Sequence, residues 1–291
     1  MGQGLFQVPL PYNEPIYAYE PGSPERKKIM EAIADLKANK QTITSVIHGK
    51  RIESSHTEKI QSPHQHDLNL GELHYTDQAG VQSAVDSCLE ARVSWSKLPW
   101  QERAAVFLKA ADLLTTKYRY KTNAATMLAQ SKTVYQSEID AVCELADFFR
   151  FNVEYMKQLH EQEMISPNGQ WNRLTMRGLE GFVYAIGPFN FTSISLNLCC
   201  APALMGCSVL WKPASTAAYS SYLLYEVLEE AGLPPGVINL VVAPAAECSE
   251  VALKHPELTG IHFTGSTKTF NYLWSEVGTV SYTHLTLPTK A

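Results

Sequence analysis

The sequence predicts an α/β protein built around a doubly wound parallel sheet, and three observations carry that prediction. Four short apolar runs follow one another in the second half of the chain: GFVYAI (181–186), CSVLW (207–211), GVINLVV (236–242) and GIHFT (260–264). These runs are rich in β-branched residues and lack polar alternation, as expected for strands buried on both faces of a parallel sheet. A helical pattern follows each run, and turn chemistry such as AGLPPG (231–236) closes a helix between two of them. Such a βαβ array places helices on both faces of the sheet.

The first 75 residues are predicted to be mostly irregular, because prolines recur at positions 11, 15, 21, 24 and 63. One helix is predicted within PERKKIMEAIADLKAN (24–39), where apolar residues recur at i, i+4 and i+7. The segment GELHYTD (71–77) is expected to form one short strand before the next helix.

Apolar stripes predict further helices over residues 78–98, 101–117 and 137–160. The third helix has two apolar faces, and Glu144 heads the second of them. A carboxylate at the head of an aromatic row is unusual for a solvated face. The predicted core face contains Ile139, Val142, Ala146, Phe149 and Val153, and the aromatic row contains Phe148, Phe151 and Tyr155.

Composition narrows the possible functions. The 291 residues include 24 Lys and Arg against 29 Asp and Glu, and the net charge of −5 provides no basic field for nucleic acid or an anionic membrane. No run approaches the roughly 20 apolar residues of a membrane-spanning helix. The six cysteines lack disulfide or zinc-ligand spacing, and His64, His66 and Asp67 have no fourth ligand nearby, so we expect reduced thiols and no metal site. A small-molecule substrate is therefore the expected partner.

Ligands of open α/β sheets bind beyond the carboxyl ends of the strands, so those ends are the place to look for a site. The first predicted strand is followed by Gly187, Pro188, Phe189 and Asn190. From the residues alone, Asn190 has two interpretations. It is either the N-cap of the following helix or an amide donor aimed at an oxyanion.

Two other strand ends carry residues suited to bind parts of a dinucleotide cofactor. Lys212 ends the second strand and Pro213 sets the direction of the chain after it. Lys212 is either an exposed lysine at the edge of the sheet or an ammonium that suits the hydroxyls of a ribose. The fourth strand ends in FTGS (263–266), where Gly265 and a helix N-terminus suit a pyrophosphate. The chain contains no G-x-G-x-x-G motif, which argues against an ordinary Rossmann dehydrogenase.

A series of motifs in the chain resembles the aldehyde dehydrogenase superfamily. These motifs are RGLEGFVYAIGPFNFT (177–192), APALMG (201–206), VLWKPAS (209–215), EAGLPPGVINLV (230–241) and GIHFTGS (260–266). Within the superfamily the chain is similar to the L-glutamate γ-semialdehyde dehydrogenases, also called pyrroline-5-carboxylate dehydrogenases, of proline catabolism. That closer likeness rests on SPERKKIMEAIADLK (23–37), FLKAADLL (107–114), SKTVYQSEIDAVCELADFFRFN (131–152) and the pair Asn190-Phe191.

The resemblance implies a role for each matching residue. Asn190 would stabilise the oxyanion of the tetrahedral intermediate, Phe191 would pack on the aliphatic chain of the substrate, and Glu144 would lie near the ammonium group of the substrate. Ser215 stands where the superfamily often has a glutamate that binds both ribose hydroxyls, so this position does not by itself choose between NAD and NADP. The residues implied to line NAD are Ile186, Gly187, Lys212, Pro213, Ser215, Gly265 and Ser266.

The nucleophilic thiol of the family belongs to a GQxC segment and its base to a GGK segment, and neither is present in these 291 residues. Cys199 and Cys200 lie inside an apolar helical stretch, where thiols are usually packing groups. After Gly278 the chain reads TVSYTHLTLPTKA (279–291), which is unlike the family at that place. The sequence therefore predicts the amino-terminal half of an enzyme that is inactive alone, followed by an unrelated tail.

These expectations divide the chain into five parts. They are an N-terminal arm and first helix (1–75), the helical part of the NAD-binding domain (76–160), a bridging or oligomerisation hairpin (161–179), the βαβ core that binds NAD (180–278) and the tail (279–291).

Two other functions remain open at this point. The chain could belong to a different aldehyde dehydrogenase, or it could be a truncated protein that binds NAD or joins an oligomer without catalysis. The resemblance also implies a homo-oligomer and, in eukaryotes, the mitochondrial matrix, although no transit peptide is visible.

Overall fold

A computed structural model describes residues 7–279 of the chain, and the predicted tail from residue 280 onward lies outside the described residues. The strands are β1 (Gln41–Ile43), β2 (Ser45–Ile47), β3 (Lys50–Ile52), β4 (Thr57–Ser62), β5 (Gln65–His74), β6 (Phe182–Ile186), β7 (Ser208–Lys212), β8 (Ile238–Leu240) and β9 (Leu258–Phe263). The helices are α1 (Pro24–Ala38), α2 (Gln78–Trp95), α3 (Trp100–Thr115), α4 (Arg119–Gln130), α5 (Val134–Ser137), α6 (Leu145–His160), α7 (Thr192–Leu204), α8 (Ala218–Ala231), α9 (Ala245–Leu253) and α10 (Thr267–Gly278).

The predicted doubly wound sheet is confirmed. The larger sheet has the order β3-β2-β8-β7-β6-β9; β6, β7, β8 and β9 are parallel to one another, and β2 pairs with β8 antiparallel. From β6 the chain builds outward to β7 and β8 and then returns to β9 on the other side of β6. This reversal creates a switch point at the carboxyl end of β6, where α/β proteins bind ligands.

The central strands β6, β7 and β8 are buried on both faces, as their uninterrupted apolar runs predict, whereas β9 at the edge of the sheet is mostly half-buried. Val183 and Ala185 of β6 pack into the core beneath α7 and α8, whereas Phe182 and Tyr184 pack into the core beneath α2 and α9. All six cysteines are buried and none forms a disulfide: Cys88, Cys143, Cys199, Cys200, Cys207 and Cys248.

The prediction of a mostly irregular N-terminal region is wrong for residues 41–74, which form five strands. β4 and β5 pair antiparallel, β1 joins β5 in parallel, and the β2–β3 hairpin extends the large sheet beside β8. Three of these strands are only three residues long, too short to show a periodic pattern, and β4 is mostly exposed. At Gly71 a Cβ atom would lie 1.9 Å from the carbonyl oxygen of Gln41, so only glycine permits the β1–β5 pairing.

A π-helical segment, Glu138–Glu144, interrupts the long helix predicted over residues 137–160 and joins α5 to α6. The prediction that Ile139 belongs to the core is wrong, because its side chain is 36% exposed. The wider turn of a π-helix shifts the buried face away from the positions that a 3.6-residue period selects. Glu138 and Asp140 are buried there instead.

The hairpin predicted within residues 161–179 is reduced to a turn, in which the Gln170 amide donates to the carbonyl of Pro167 over 3.0 Å. None of these residues belongs to a strand. Ile165 is 90% exposed and Trp171 is 77% exposed, so the segment has no packed face to stabilise a two-stranded ladder. The division of the chain into domains stays a prediction.

A buried ion cluster fastens the chain before α1 to the helices. Arg119 forms ion pairs with Glu138 and, over 2.6 Å, with Glu14, and Arg150 pairs with the second oxygen of Glu14 over 2.9 Å. Tyr19 also donates its hydroxyl to Glu138 over 2.7 Å. The cluster therefore anchors one side of the π-helical segment.

Candidate functional site

The carboxyl ends of three adjacent strands meet at the switch point of the large sheet. Ile186 at the end of β6 is in register with Lys212 on β7 and with Phe263 on β9. Just beyond, the Gly187 amide donates to the Lys212 carbonyl over 3.0 Å. A Cβ atom on Gly187 would lie 2.1 Å from the Ser195 hydroxyl oxygen, so only glycine lets the chain pass α7 here.

Lys212 is the charged side chain of this edge, and it is only 5% exposed. Its ammonium donates to the Pro213 carbonyl over 3.2 Å and forms no ion pair among the described residues. Burial lowers the pKa of the Lys212 side chain below its usual value. A buried ammonium with a single neutral acceptor retains donors for ligand hydroxyls.

The other residues expected to line a cofactor lie at the same edge. Ser215 begins a 3₁₀ turn after β7 and is half-buried. At Gly265 a Cβ atom would lie 2.5 Å from the tip of the Phe263 ring, so a larger residue there would have to displace that ring. The Ser266 hydroxyl accepts the Thr269 amide over 3.2 Å and so caps α10.

Asn190 is exposed at the entrance to α7, and the interpretation of this residue as a helix cap is wrong. The N-cap position belongs to Phe191, which makes no side-chain capping bond. The Asn190 side chain forms no hydrogen bond with the described residues. Its amide group is therefore available to a ligand.

The first amides of α7 are capped by a carboxylate from elsewhere in the chain. Asp140, in the π-helical segment, accepts the Thr192 amide over 3.1 Å and the Ser193 amide over 3.0 Å. Lys132 contacts the same carboxylate over 2.5 Å. Sequence reasoning missed Asp140, Lys132 and Ser193, because an acid inside a helical pattern carries no signal that it caps a helix far along the chain.

Glu144 also contacts the start of α7, through Ser193. The Ser193 hydroxyl lies 2.7 Å from a Glu144 carboxylate oxygen, and Glu144 is half-buried. Phe191 is 38% exposed, with the Lys132 ammonium 4.2 Å from the centre of its ring. The fold thus collects a free amide, an accessible aromatic ring and a carboxylate around the start of α7.

The adjacent cysteines of α7 are core residues, as predicted. Cys199 is fully buried and Cys200 is 2% exposed. Burial raises the pKa of the Cys199 thiol well above its usual value, which suppresses the reactive thiolate.

Within residues 7–279, no group of three or more His, Cys, Asp or Glu side chains is arranged to hold a metal ion. A search of the helices in that same range finds none with the length and apolar character needed to cross a bilayer.

Residues 50–290 match the model of the aldehyde dehydrogenase family, in agreement with the doubly wound sheet. The chain belongs to this family. The match runs into the residues where we expect an unrelated tail, and that expectation stays a prediction.

The similar proteins narrow the class further. The chain is 45% identical over 274 residues to the delta-1-pyrroline-5-carboxylate dehydrogenase of Agaricus bisporus, covering 94% of this chain and 50% of that protein. It is 44% identical to the mitochondrial human enzyme of the same name, covering 91% of this chain and 47% of that protein. The crystal structure of the Mycobacterium tuberculosis Delta-pyrroline-5-carboxylate dehydrogenase bound with NAD is 51% identical with a TM-score of 0.94, covering 96% of this chain and 52% of that chain. The chain therefore spans about half the length of the relatives it matches.

Proposed function

We propose that the full-length protein carrying these residues oxidises L-glutamate γ-semialdehyde to L-glutamate with NAD, the second step of proline catabolism. One observation carries the proposal: the unpaired Asn190 amide, the accessible Phe191 ring and the Glu144 carboxylate lie around one helix end, next to the switch point of the sheet. The names of the relatives support the same substrate.

Asn190 is assigned to the oxyanion. When a thiolate adds to the aldehyde carbon, negative charge develops on the carbonyl oxygen, and a fixed amide donor stabilises that charge. In the family the thiolate and the base come from segments that these 291 residues do not contain. We therefore expect the chain by itself to have no dehydrogenase activity and only weak NAD binding.

Glu144 and Phe191 are assigned to the rest of the substrate. The γ-semialdehyde carries an α-ammonium group, which a carboxylate favours, and a short apolar chain, which an aromatic ring covers. A simple aldehyde lacks the ammonium group, so Glu144 is expected to act in specificity rather than in bond making.

NAD is expected to bind at the carboxyl edge of the sheet, where it would accept the hydride of the aldehyde. The buried Lys212 ammonium, with one neutral acceptor, fits the ribose hydroxyls, and the glycine at 187 lets the strand end pass close to α7. The M. tuberculosis relative was crystallised with NAD, which supports this choice of cofactor. The expected lining residues are Ile186, Gly187, Lys212, Pro213, Ser215, Gly265 and Ser266.

The direct test is formation of NADH by the purified full-length protein supplied with glutamate semialdehyde and NAD. We expect turnover with this substrate and much less with propanal, which lacks the ammonium and carboxylate groups. Equal turnover of both aldehydes would overturn the substrate assignment, and no turnover of either would overturn the proposed enzyme.

Replacing Lys212 with methionine should weaken NAD binding about ten- to a hundredfold, because hydrogen bonds from a charged donor contribute about 1.5–3 kcal/mol. Calorimetric titration of the full-length protein with NAD measures this without catalysis. Lys117→Met is the control, because that lysine is paired with Glu230 at the surface. An unchanged dissociation constant in Lys212→Met would remove Lys212 from the cofactor site.

The assembly and the compartment are also proposals. The exposed segment 161–179 is the expected contact between copies of the full-length protein, since it presents apolar side chains without a packed face. Several eukaryotic relatives are named as mitochondrial, which supports the mitochondrial matrix as the location. Light scattering of the full-length protein at micromolar concentration tests the first of these, and a monomer would contradict it.

A further inference from the structure

The start of α7 depends on a carboxylate outside its own local sequence. Helices usually satisfy their first amides with a side chain at the N-cap, but Phe191 has no acceptor to offer. Asp140 supplies both oxygens instead, one to Thr192 and one to Ser193. It precedes the helix it caps by about fifty residues, so the tertiary fold decides whether this helix end is ordered.

The Asp140 carboxylate is itself held firmly. It is 2% exposed and paired with Lys132, and its negative charge faces the positive end of the helix dipole. On the other side of the π-helical segment, Glu138 is fixed by Arg119 and Tyr19. The backbone that presents Asp140 is therefore anchored on both sides.

Ser193 connects this cap to the carboxylate of Glu144, which is proposed to bind the substrate ammonium. Its hydroxyl oxygen lies 2.7 Å from Asp140 and 2.7 Å from Glu144. A hydroxyl carries one proton and can donate it to only one acceptor at a time. Lying between the two carboxylates, the Ser193 hydroxyl holds the Glu144 side chain beside the capped end of α7.

We infer that Asp140 is a positioning residue for the proposed reaction. By holding the first turn of α7 it fixes the backbone that presents Asn190 and Phe191, and through Ser193 it fixes Glu144. The inference rests on the proposed function, because Asn190 and Glu144 have their roles only there.

Two variants of the full-length protein separate the effect of Asp140 on the start of α7 from its effect on Glu144. Asp140→Asn keeps the shape but removes the charge, and it should lower kcat about a hundredfold with both glutamate semialdehyde and propanal, the size expected for a reacting group displaced by about 1 Å. Ser193→Ala keeps both backbone bonds to Asp140 and should raise the KM for glutamate semialdehyde about tenfold, while the KM for propanal stays unchanged. The control is Ser221→Ala, a buried serine whose hydroxyl has no partner in the described structure.

Amide hydrogen exchange of a peptide spanning residues 189–196 supplies a readout that does not depend on catalysis. Asp140→Asn should speed exchange there at least tenfold, whereas Ser221→Ala should not. If Asp140→Asn does not fold, Ser193→Ala supplies the test. A rise in KM for glutamate semialdehyde but not for propanal would show that the link from Asp140 to Glu144 affects substrate binding.

Folded Asp140→Asn protein with unchanged kcat and exchange, or equal KM changes for both aldehydes in Ser193→Ala, would overturn the inference. Failure of the proposed function is recognised separately. An unmodified protein that oxidises propanal but not glutamate semialdehyde would refute the substrate, and the kcat test of Asp140 would proceed with propanal. An unmodified protein that oxidises neither aldehyde would refute the proposed reaction and, with it, the positioning role.

Discussion

Replacing Asn190 with alanine in the full-length protein is expected to lower kcat about 10²–10³-fold, or about 2.7–4 kcal/mol of transition-state stabilisation. The physical reason is that an amide donor carried on a fixed backbone, next to the capped end of α7, stabilises the negative charge that develops on the oxyanion. Asn190 is exposed, does not cap α7, and makes no hydrogen bond with the described residues. Its replacement by alanine therefore breaks no hydrogen bond within the described structure. Steady-state kinetics with glutamate semialdehyde measure the loss.

The matched control is Asn39→Ala, which removes an exposed asparagine whose side-chain amide bonds, within residues 7–279, to Asp35 of α1 alone. It should leave kcat unchanged. NAD affinity should stay the same in both variants, and the free energy of unfolding should stay the same in Asn190→Ala. A normal kcat in Asn190→Ala would show that the oxyanion is stabilised by other groups.

Replacing Glu138 with alanine is expected to lower the free energy of unfolding of the chain by about 3–5 kcal/mol. Glu138 is fully buried and accepts hydrogen bonds from Arg119, from the Tyr19 hydroxyl over 2.7 Å and from the Asn123 amide over 2.6 Å. Its removal leaves the Arg119 guanidinium buried with part of its charge uncompensated. Urea unfolding followed by circular dichroism gives the change.

Glu230→Ala is the control for that experiment, because Glu230 pairs with Lys117 over 2.6 Å at the surface. Exposed pairs contribute about 0–1 kcal/mol, so little stability should be lost. A similar loss of unfolding free energy in the two variants would mean that the buried Glu138 contributes no more to stability than the exposed Glu230. In that case the ion cluster would not be what anchors the π-helical segment.

The parallel sheet was predictable because its central strands β6, β7 and β8 are buried on both faces and therefore read as uninterrupted apolar runs. β6 and β7 were found close to their observed bounds for this reason. The three-residue strands β1, β2 and β3 were missed, because they contain too few residues to show any period. The helix α4 was missed as well, since its buried face includes polar residues such as Arg119 and Asn123.

The candidate site was predictable only in part. Asn190, Phe191, Lys212 and Gly187 follow strand ends, and the order of strands in a doubly wound sheet brings strand ends together. Ile139 was misplaced because a π-helical turn cannot be read from a pattern that assumes 3.6 residues per turn.

The sequence by itself determined the class of fold, the family motifs and the types of side chain at the strand ends, because these depend on neighbours along the chain. The tertiary structure alone decided that Asn190 is free, that Asp140 caps α7 in its place, and that Ser193 links Asp140 to Glu144. Each of these depends on two elements about fifty residues apart meeting within hydrogen-bond distance. A hydrogen bond is specified by distance and angle in space, and no local pattern of residues encodes either.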